Sequence, residues 1–355
     1  MISLLTTVIR ACMVVPLMTG LVSCSDPVLR WQRLPDLPPA HGLGGAMAAQ
    51  LEGALWVGGG SHFGGAMPWQ GGLKTWHDRS FVLAVPGAQW REGPRLPLAM
   101  GYGCALSDDS GFLWVIGGGD GSQHFSSVWR RRKIAGPWQR MADLPTASAM
   151  GVALIWRGHL HWLCGSLSPT AVEAERSHWT LSLQEPQLGW QRFPDFPGPG
   201  RILAVGGVND RGLVIAGGAQ LVADSSGKPR RLLCRDVYGF DGREWRLLAD
   251  LPQAAVAAPG PMPYINGKFW LIGGDDGRGM AVQPWRHPGF SRLLWSYDPQ
   301  RNLWRRESVL PDALVTTALV PWCGGVALPG GEVRPGLRSP RCWMLRLHEG
   351  NESSR

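Results

Sequence analysis

The sequence predicts an all-β protein, a six-bladed β-propeller whose N-terminal strand closes the last blade. Three observations predict it: a turn-rich composition poor in helix formers, one motif repeated six times, and a repeat count that begins and ends in the middle of a unit. Composition sets the class. The 355 residues include 49 Gly, 29 Pro and 19 Trp but only 4 Tyr, and 17% are charged. That profile fits short strands joined by many turns. The net charge of +8 comes from dispersed arginines with no Lys/Arg block. This excludes the clustered basic footprint of nucleic-acid binders and leaves a mild bias toward acidic small molecules.

The repeat fixes the architecture. Trp31, Trp90, Trp138, Trp190, Trp245 and Trp304 are each followed six residues later by Leu-Pro or Phe-Pro, beginning at Leu37, Leu96, Leu144, Phe196, Leu251 and Leu310. Some twenty residues further on, a short apolar strand ends in a small pair: Gly58-Gly59, Gly117-Gly118, Cys164-Gly165, Gly217-Gly218, Gly273-Gly274 and Gly330-Gly331. Each unit divides into four strands: a small-residue strand such as "MGYGCAL", an apolar one such as "GFLWVIGG", a third such as "RDVYGFD", and the Trp-bearing strand. A unit of this size cannot bury both its faces alone, and the 48–59 residues between successive Trps suit a propeller blade. The pattern resembles the kelch repeat.

The first Trp strand, around Trp31, precedes the first complete unit, and the sixth unit ends at "RCWMLRLH" without one. Residues 28–33 are therefore expected to pair with 341–347, which leaves no open sheet edge. Antiparallel strands reverse direction, so the loops after the Trp strands and those after the small pairs open on one face. Those after the pairs are long, as in 60–77, 219–234 and 275–290, and long loops on a rigid scaffold are where function concentrates.

Residues 1–24 differ from the rest. Arg10 precedes the apolar run 11–21, too short to span a bilayer, and Leu21-Val22-Ser23-Cys24 resembles a bacterial lipoprotein cleavage box. The expectation is an exported, periplasmic protein held to the membrane only through a lipid on Cys24, the alternative being an ordinary signal cut near Ser25. The propeller is expected over 25–348, with a disordered tail at 349–355. Cys104, Cys164, Cys234, Cys323 and Cys342 show no CxxC spacing and are expected to be buried small residues.

In "PGGEVRPGLRSP", residues 329–340, Pro335-Gly336 forms a turn that folds Glu332 and Arg338 toward each other. Such a pair is either a general base oriented by a cation or a structural ion pair pinning a loop. The stretch "GGEVRPGLRSPRCW" resembles the corresponding loop of the N-acetylneuraminate epimerase (sialic acid mutarotase) family, and residues 44–78 resemble the blade that follows that loop in those enzymes. Here that blade comes first, so the chain resembles a cyclically permuted branch. The resemblance implies a kelch propeller acting on a small acidic sugar without cofactor or metal, with Glu332 as base and Arg338 as its partner. The second blade reads Met100-Gly101-Tyr102-Gly103 where the family has Arg-Ala-Tyr-Gly, which affects which sugar is expected.

Arg201, in "FPGPGR", is expected at the channel mouth, either as a carboxylate ligand or as a solvated charge. Lys74, Trp76, His77 and Trp69, in the longest loop, are expected with Tyr102 to form a sugar-facing wall, the alternative being a packed loop. His159 and His161 share one side of a strand but have no third ligand, so no metal is expected. The single Asp-box-like "SDDSGFLW" at 107–114 reads as a hairpin turn. The rival functions are a non-catalytic carbohydrate- or protein-binding module, a sialidase-like hydrolase, which needs more carboxylates, and a copper oxidase, for which four tyrosines offer no clear ligands.

Overall fold

The computed structural model describes residues 28–348; the expected signal segment with Cys24 and the expected tail after His348 lie outside them. The described residues contain strands and three 3-10 turns but no α-helix. Six four-stranded antiparallel sheets follow one another around a ring. The first runs from its inner strand Met47–Leu51 through Ala54–Gly58 and Ser80–Leu83 to Arg91–Glu92. The last is closed as expected: Val28–Leu34 pairs with Leu337–His348, in a register running from Val28 opposite His348 to Leu34 opposite Cys342. Two extra hairpins rise from one face, Ser61–Phe63 with Lys74–Trp76 and Ala219–Ala223 with Pro229–Leu233.

The core is a set of wedges between neighbouring blades rather than one central mass. The wedge between the last and first blades, for example, packs Val320, Trp322 and Ala327 against Leu55 and Val57. All six Leu/Phe residues of the repeated Leu/Phe-Pro pairs are buried there, each contributing about 1.5–3 kcal/mol relative to exposure. The repeated Trp stitches adjacent blades. Trp90, Trp138, Trp190, Trp245 and Trp304 each donate an indole N–H to a carbonyl of the preceding repeat, at Pro35, Arg95, Ala142, Pro194 and Ala249, over 2.7–3.1 Å.

Around the axis the backbone forms a closed belt. Tyr102 donates its N–H to Gly45 O, Met150 to Tyr102, Leu203 to Met150, Ala257 to Leu203, Thr316 to Ala257 and Gly45 to Thr316, each at 2.8–2.9 Å. All six residues are left-handed, with φ between 53° and 68°, although five carry a side chain that this region disfavours. The residue before each belt member pairs in turn with the residue after the blade's small pair: Gly44 with Ser61, Gly101 with Gly119, Ala149 with Ser166, Ile202 with Ala219, Val256 with Asp275 and Val315 with Glu332.

These contacts explain the small pairs and correct one of them. In the first blade the left-handed pair is Gly59-Gly60, at φ 68° and 88°, one residue later than expected, because Gly58 still belongs to the strand. A Cβ on the second glycine would lie 2.7 Å from Ile202 O at Gly218 and 2.7 Å from Val315 O at Gly331, so the approach to the inner strand demands glycine. In the third blade Cys164 takes the first position, at φ 61°. Cys164, Cys234 and Cys342 are buried as expected, whereas Cys104 is half-buried and Cys323 is exposed in a turn.

Arg201 is not at the channel mouth. It occupies the place that Leu43, Met100, Ser148, Ala255 and Leu314 hold in the other blades, next before the bridged residue, and all six are buried. Its guanidinium donates to both Asp236 oxygens at 3.0 and 2.7 Å and to Gly217 O at 3.0 Å, and lies 4.5 Å over the Phe196 ring. The loop was expected to aim Arg201 into the channel mouth, but it is packed down: Gly200 is glycine because a Cβ would collide with Ala174 O. Arg201 is a brace between the third and fourth blades.

Two outcomes follow. Deleting residues 28–34 should expose the edge of the last blade and give an aggregating or unfolded protein, and an unchanged melting temperature would contradict the closure. Asp236→Ala should strand a fully buried guanidinium and cost about 3–5 kcal/mol in urea unfolding. Arg201→Met, which places there the residue that the second blade carries at Met100, should cost less.

Candidate functional site

The face carrying the two extra hairpins opens into a cavity of about 490 Å³, lined by Phe63, Lys74, Trp76, Tyr102, Asp120, His124, Arg231, Asp275, Thr316, Glu332 and Arg338, among others. Five of the six belt residues form its floor, and below them the channel narrows to a neck lined by Gly, Ala and other small residues. Volume and polarity suit a small polar ligand.

The sixth blade places Glu332 at the rim. Its backbone is held on both sides by Val315, with N–H···O distances of 2.9 and 3.0 Å. Across the Pro335-Gly336 turn it lies directly opposite Arg338, in a hairpin with irregular pairing on either side of that stretch. Glu332 Oε1 accepts the Gly336 N–H at 2.9 Å, and Oε2 lies 3.3 Å from Arg338 Nη2. Only 12% of the Glu332 side chain and 3% of the Arg338 side chain are exposed. Arg338 also sits 4.7 Å over the Phe63 ring, and Gly44 leaves it room, since a Cβ there would lie 2.7 Å from its Nε. Arg338 Nε and Nη1 are buried with no hydrogen-bond partner among the described residues. A loop brace would be expected to use its donors on the loop, so unspent donors beside a carboxylate at a cavity rim point toward a ligand.

The hairpin from the first blade supplies one wall. Pairing sets Ser61 opposite Trp76 and Phe63 opposite Lys74, so by strand alternation Phe63, Lys74 and Trp76 share the cavity face. Lys74 Nζ donates to Tyr102 Oη at 3.1 Å and lies 4.6 Å over that ring. Trp76 meets Tyr102 edge-on at 6.0 Å. The structure thus brings Lys74, Trp76 and Tyr102 together with Glu332 and Arg338.

It does not bring in His77 or Trp69. His77 follows Trp76 and turns to the outer side of the hairpin, where its ring stacks on His62 at 4.9 Å. Trp69 meets Trp285 at a tilt, with ring centroids 6.0 Å apart, and covers the tip of the Glu332–Arg338 turn, where a Cβ on Gly336 would touch its ring. It supports the turn from outside rather than facing the cavity. His161 pairs with the buried His178 across 2.9 Å, not with His159. Burial first and the two neighbouring histidines second push His161 down to about 3, so this is a neutral core pair. Asp108 of the Asp-box-like stretch accepts the Phe112 N–H and the Trp114 indole N–H, as a hairpin turn would.

Besides Thr316, four ionisable lining residues were not singled out from sequence. Asp275 follows the fifth blade's Gly-Gly, the place Glu332 holds in the sixth, and that equivalence was available from the repeat. Asp120 and His124 sit in a loop of the second blade. His124 Nδ1 lies 2.7 Å from Ser166 O and so must donate to it, leaving Nε2 as an acceptor, while burial lowers its titration below the usual imidazole range. Arg231 projects from the Pro229–Leu233 strand, whose place over the cavity no local pattern reveals.

No family model matches the chain. The N-acetylneuraminate epimerase of Yersinia enterocolitica is 26% identical over 233 residues, covering 58% of this chain and 57% of that protein. The N-acetylneuraminate epimerase of Brucella suis is 35% identical over 115 residues, 28% of this chain and 29% of that one. The matches therefore span little more than half of these relatives' length at most. The solved structure titled "Structure of YjhT" superposes with a TM-score of 0.66 at 14% identity, over 90% of this chain and 98% of that one, and so shares the fold. In fold the chain is a six-bladed propeller like that structure, and in sequence it is similar to bacterial N-acetylneuraminate epimerases.

Proposed function

We propose that the protein is a mutarotase that interconverts the α and β anomers of N-acetylneuraminate or a related acidic sugar by general acid–base ring opening. The observation that carries this reading is the Glu332–Arg338 pair: a carboxylate with both oxygens oriented, beside a buried guanidinium with two unspent donors, on the rim of a sugar-sized cavity. The names of the relatives supply the sugar class, and the residues supply the chemistry.

In such a 2-keto acid sugar the anomeric carbon bears both the hydroxyl and a carboxylate, so a cation next to the base can hold the carboxylate while the base meets the hydroxyl. Glu332 takes the anomeric proton. The oxygen's electron pair closes to a ketone as the bond to the ring oxygen breaks, and the ring oxygen takes the proton back from the newly formed carboxylic acid. Rotation about the carbon–carbon bond presents the other face of the ketone, and the reverse steps close the second anomer. No atom is gained or lost, and each Glu332 oxygen keeps a lone pair free of its Gly336 or Arg338 contact. Arg338 would bind the sugar carboxylate once its side chain turns the buried, unspent Nε and Nη1 donors toward the cavity, with Lys74 and Arg231 adding positive potential. The Thr316 hydroxyl, unpartnered at the cavity floor, and Asp120 and Asp275 are suited to sugar hydroxyls. The permuted blade order belongs to the same proposal, since moving the seam of a closed ring leaves its axis and cavity unchanged. Export and lipid attachment at Cys24 complete it, supported by the Leu-Val-Ser-Cys box.

Proton-NMR exchange between the two anomers tests the activity. Glu332→Gln keeps shape and hydrogen-bonding capacity but removes the base, so exchange should fall about 10²- to 10⁴-fold with the melting temperature retained. Arg338→Lys keeps the charge but loses the planar fork, and should cost about 1.5–3 kcal/mol in transition-state binding. A Glu332→Gln protein that melts several degrees lower yet exchanges anomers at the parent rate would make the pair a loop brace. A parent protein that binds the sugar without accelerating exchange would make the propeller a binding module. Separately, Cys24→Ala should move the protein from the membrane to the soluble fraction, and persistent membrane association would contradict lipidation there.

A further inference from the structure

Behind the cavity wall, on the outer side of the first blade's hairpin, three histidines from three separate segments meet. His41 lies in the loop leading into the first blade, His62 on Ser61–Phe63 and His77 just past Lys74–Trp76. Their rings are nearly parallel, with centroids 3.6 Å apart for His41 and His62, 4.9 Å for His62 and His77, and 6.0 Å for His41 and His77. One ring nitrogen from each lies within 4.8 Å of the other two, and His62 Nδ1 is 2.8 Å from His77 Nε2. We propose that His41, His62 and His77 form a binding site for a divalent cation of the zinc type, separate from the sugar cavity and bracing its wall.

Two of the ligands are anchored by backbone pairing. His62 is held opposite Thr75 in the hairpin, and His77 donates its N–H to Gly60 O at 3.0 Å while its carbonyl accepts Met100 N–H at 3.1 Å. The third is placed by Gly42, at φ 69°, which packs against the backbone of Ser339, where a Cβ would come within 2.5 Å. His41 is exposed and the other two are half-buried, so the cluster is open to a metal from solvent, and a fourth position remains for water.

The ligand chemistry also fits. Imidazole nitrogens suit zinc and its neighbours in the first transition row, and only the neutral ring can ligate. Burial is the leading cause that lowers all three titrations below the ordinary value, reinforced at His62 by its two neighbours and Arg338 and at His77 by His41 and Arg79, with Asp78 opposing. Zinc–nitrogen bonds of about 2.0–2.1 Å bring tetrahedral ligand atoms to roughly 3.3 Å from one another, closer than the 4.8 Å limit observed. A metal must also lie in each ring plane, so binding turns the His41 and His62 rings out of their stack. His41 is the one with room to move.

The site would act on the cavity through strand alternation. His62 points outward between Ser61 and Phe63, and Phe63 carries Arg338 on the inner side. His77 adjoins Trp76, which lines the cavity. A bound ion would tie the 41–44 entry loop to both strands of the hairpin and fix the wall that presents Phe63, Lys74 and Trp76.

The test uses the tag-free protein, stripped with chelator and dialysed against Zn²⁺ near neutral pH, with bound metal counted per chain. A Co²⁺ titration reports geometry by the visible absorption of a tetrahedral site. One ion per chain is expected, with affinity falling about 100-fold or more in His62→Ala. The exposed His41→Ala, which leaves the hairpin intact, should do the same and covers the case in which His62→Ala misfolds. His159→Ala, at a surface histidine far along the chain, should bind as the parent does. Absence of stoichiometric zinc in the parent overturns the proposal, as does binding that survives both His41→Ala and His62→Ala.

Discussion

The belt of six backbone hydrogen bonds around the axis, from Gly45 through Tyr102, Met150, Leu203, Ala257 and Thr316, constrains the site more than any side chain does. Each member donates to the member from the preceding blade and accepts from the next, so no blade can tilt without breaking two bonds. The left-handed conformation that this requires is disfavoured for a residue with a Cβ, and the adjoining inter-blade wedges offset the cost by burying the flanking apolar residues. Because each residue before a belt member pairs with the residue after the small pair, the belt also fixes six equivalent positions, three of which, Gly119, Asp275 and Glu332, line the cavity. Glu332 occupies one of them and Asp275 its neighbour. The base in the proposed reaction is therefore located by main-chain geometry, and its side chain needs only the Gly336 N–H and Arg338 to be oriented.

What was legible in the sequence was what the repeat encodes redundantly. Six Trp residues at a fixed offset from six buried Leu or Phe residues gave the blade count, and the unit split between the two ends gave the closure by Val28–Leu34. The misplacement at Gly58 arose because three consecutive glycines offer two registers, and only the backbone shows that the strand continues through the first. Arg201 misled for a related reason. Its setting of Pro and Gly reads as a loop, while alignment with Leu43, Met100 and Leu314 would have marked it as a core position. A buried arginine there is stable because Asp236, Gly217 O and Pro199 O take its donors, a partnership that local sequence does not announce.

The rim residues were legible to different depths. Glu332 and Arg338 sit six residues apart across a Pro-Gly turn, so a short stretch of sequence contains the whole pair. Lys74 and Trp76 were singled out only as members of the longest loop; the hairpin inside it, whose alternation turns the adjacent His77 the other way, was not read from the sequence. Arg231 and the histidine trio were not legible, since each depends on which distant loops the closed ring brings together. Positions 41, 62 and 77 share no period, and their meeting is a property of the hairpin folding back over the first blade.

Seam and site lie on one strand, which links stability to the proposed chemistry. Leu337–His348 carries Arg338 at its start and pairs with Val28–Leu34 from Cys342 onward. Between these points Leu37 donates its N–H to Pro340 O at 2.9 Å, and Gly42 packs on Ser339. The segment that closes the ring thus also clamps the strand immediately behind Arg338. A guanidinium whose side chain is 3% exposed and keeps unspent donors is costly to hold in place, and it would gain solvent and mobility if that strand frayed. Closure by the N-terminal strand removes the frayed alternative, so the same pairing that protects the last blade from edge-to-edge association keeps the cation fixed beside Glu332.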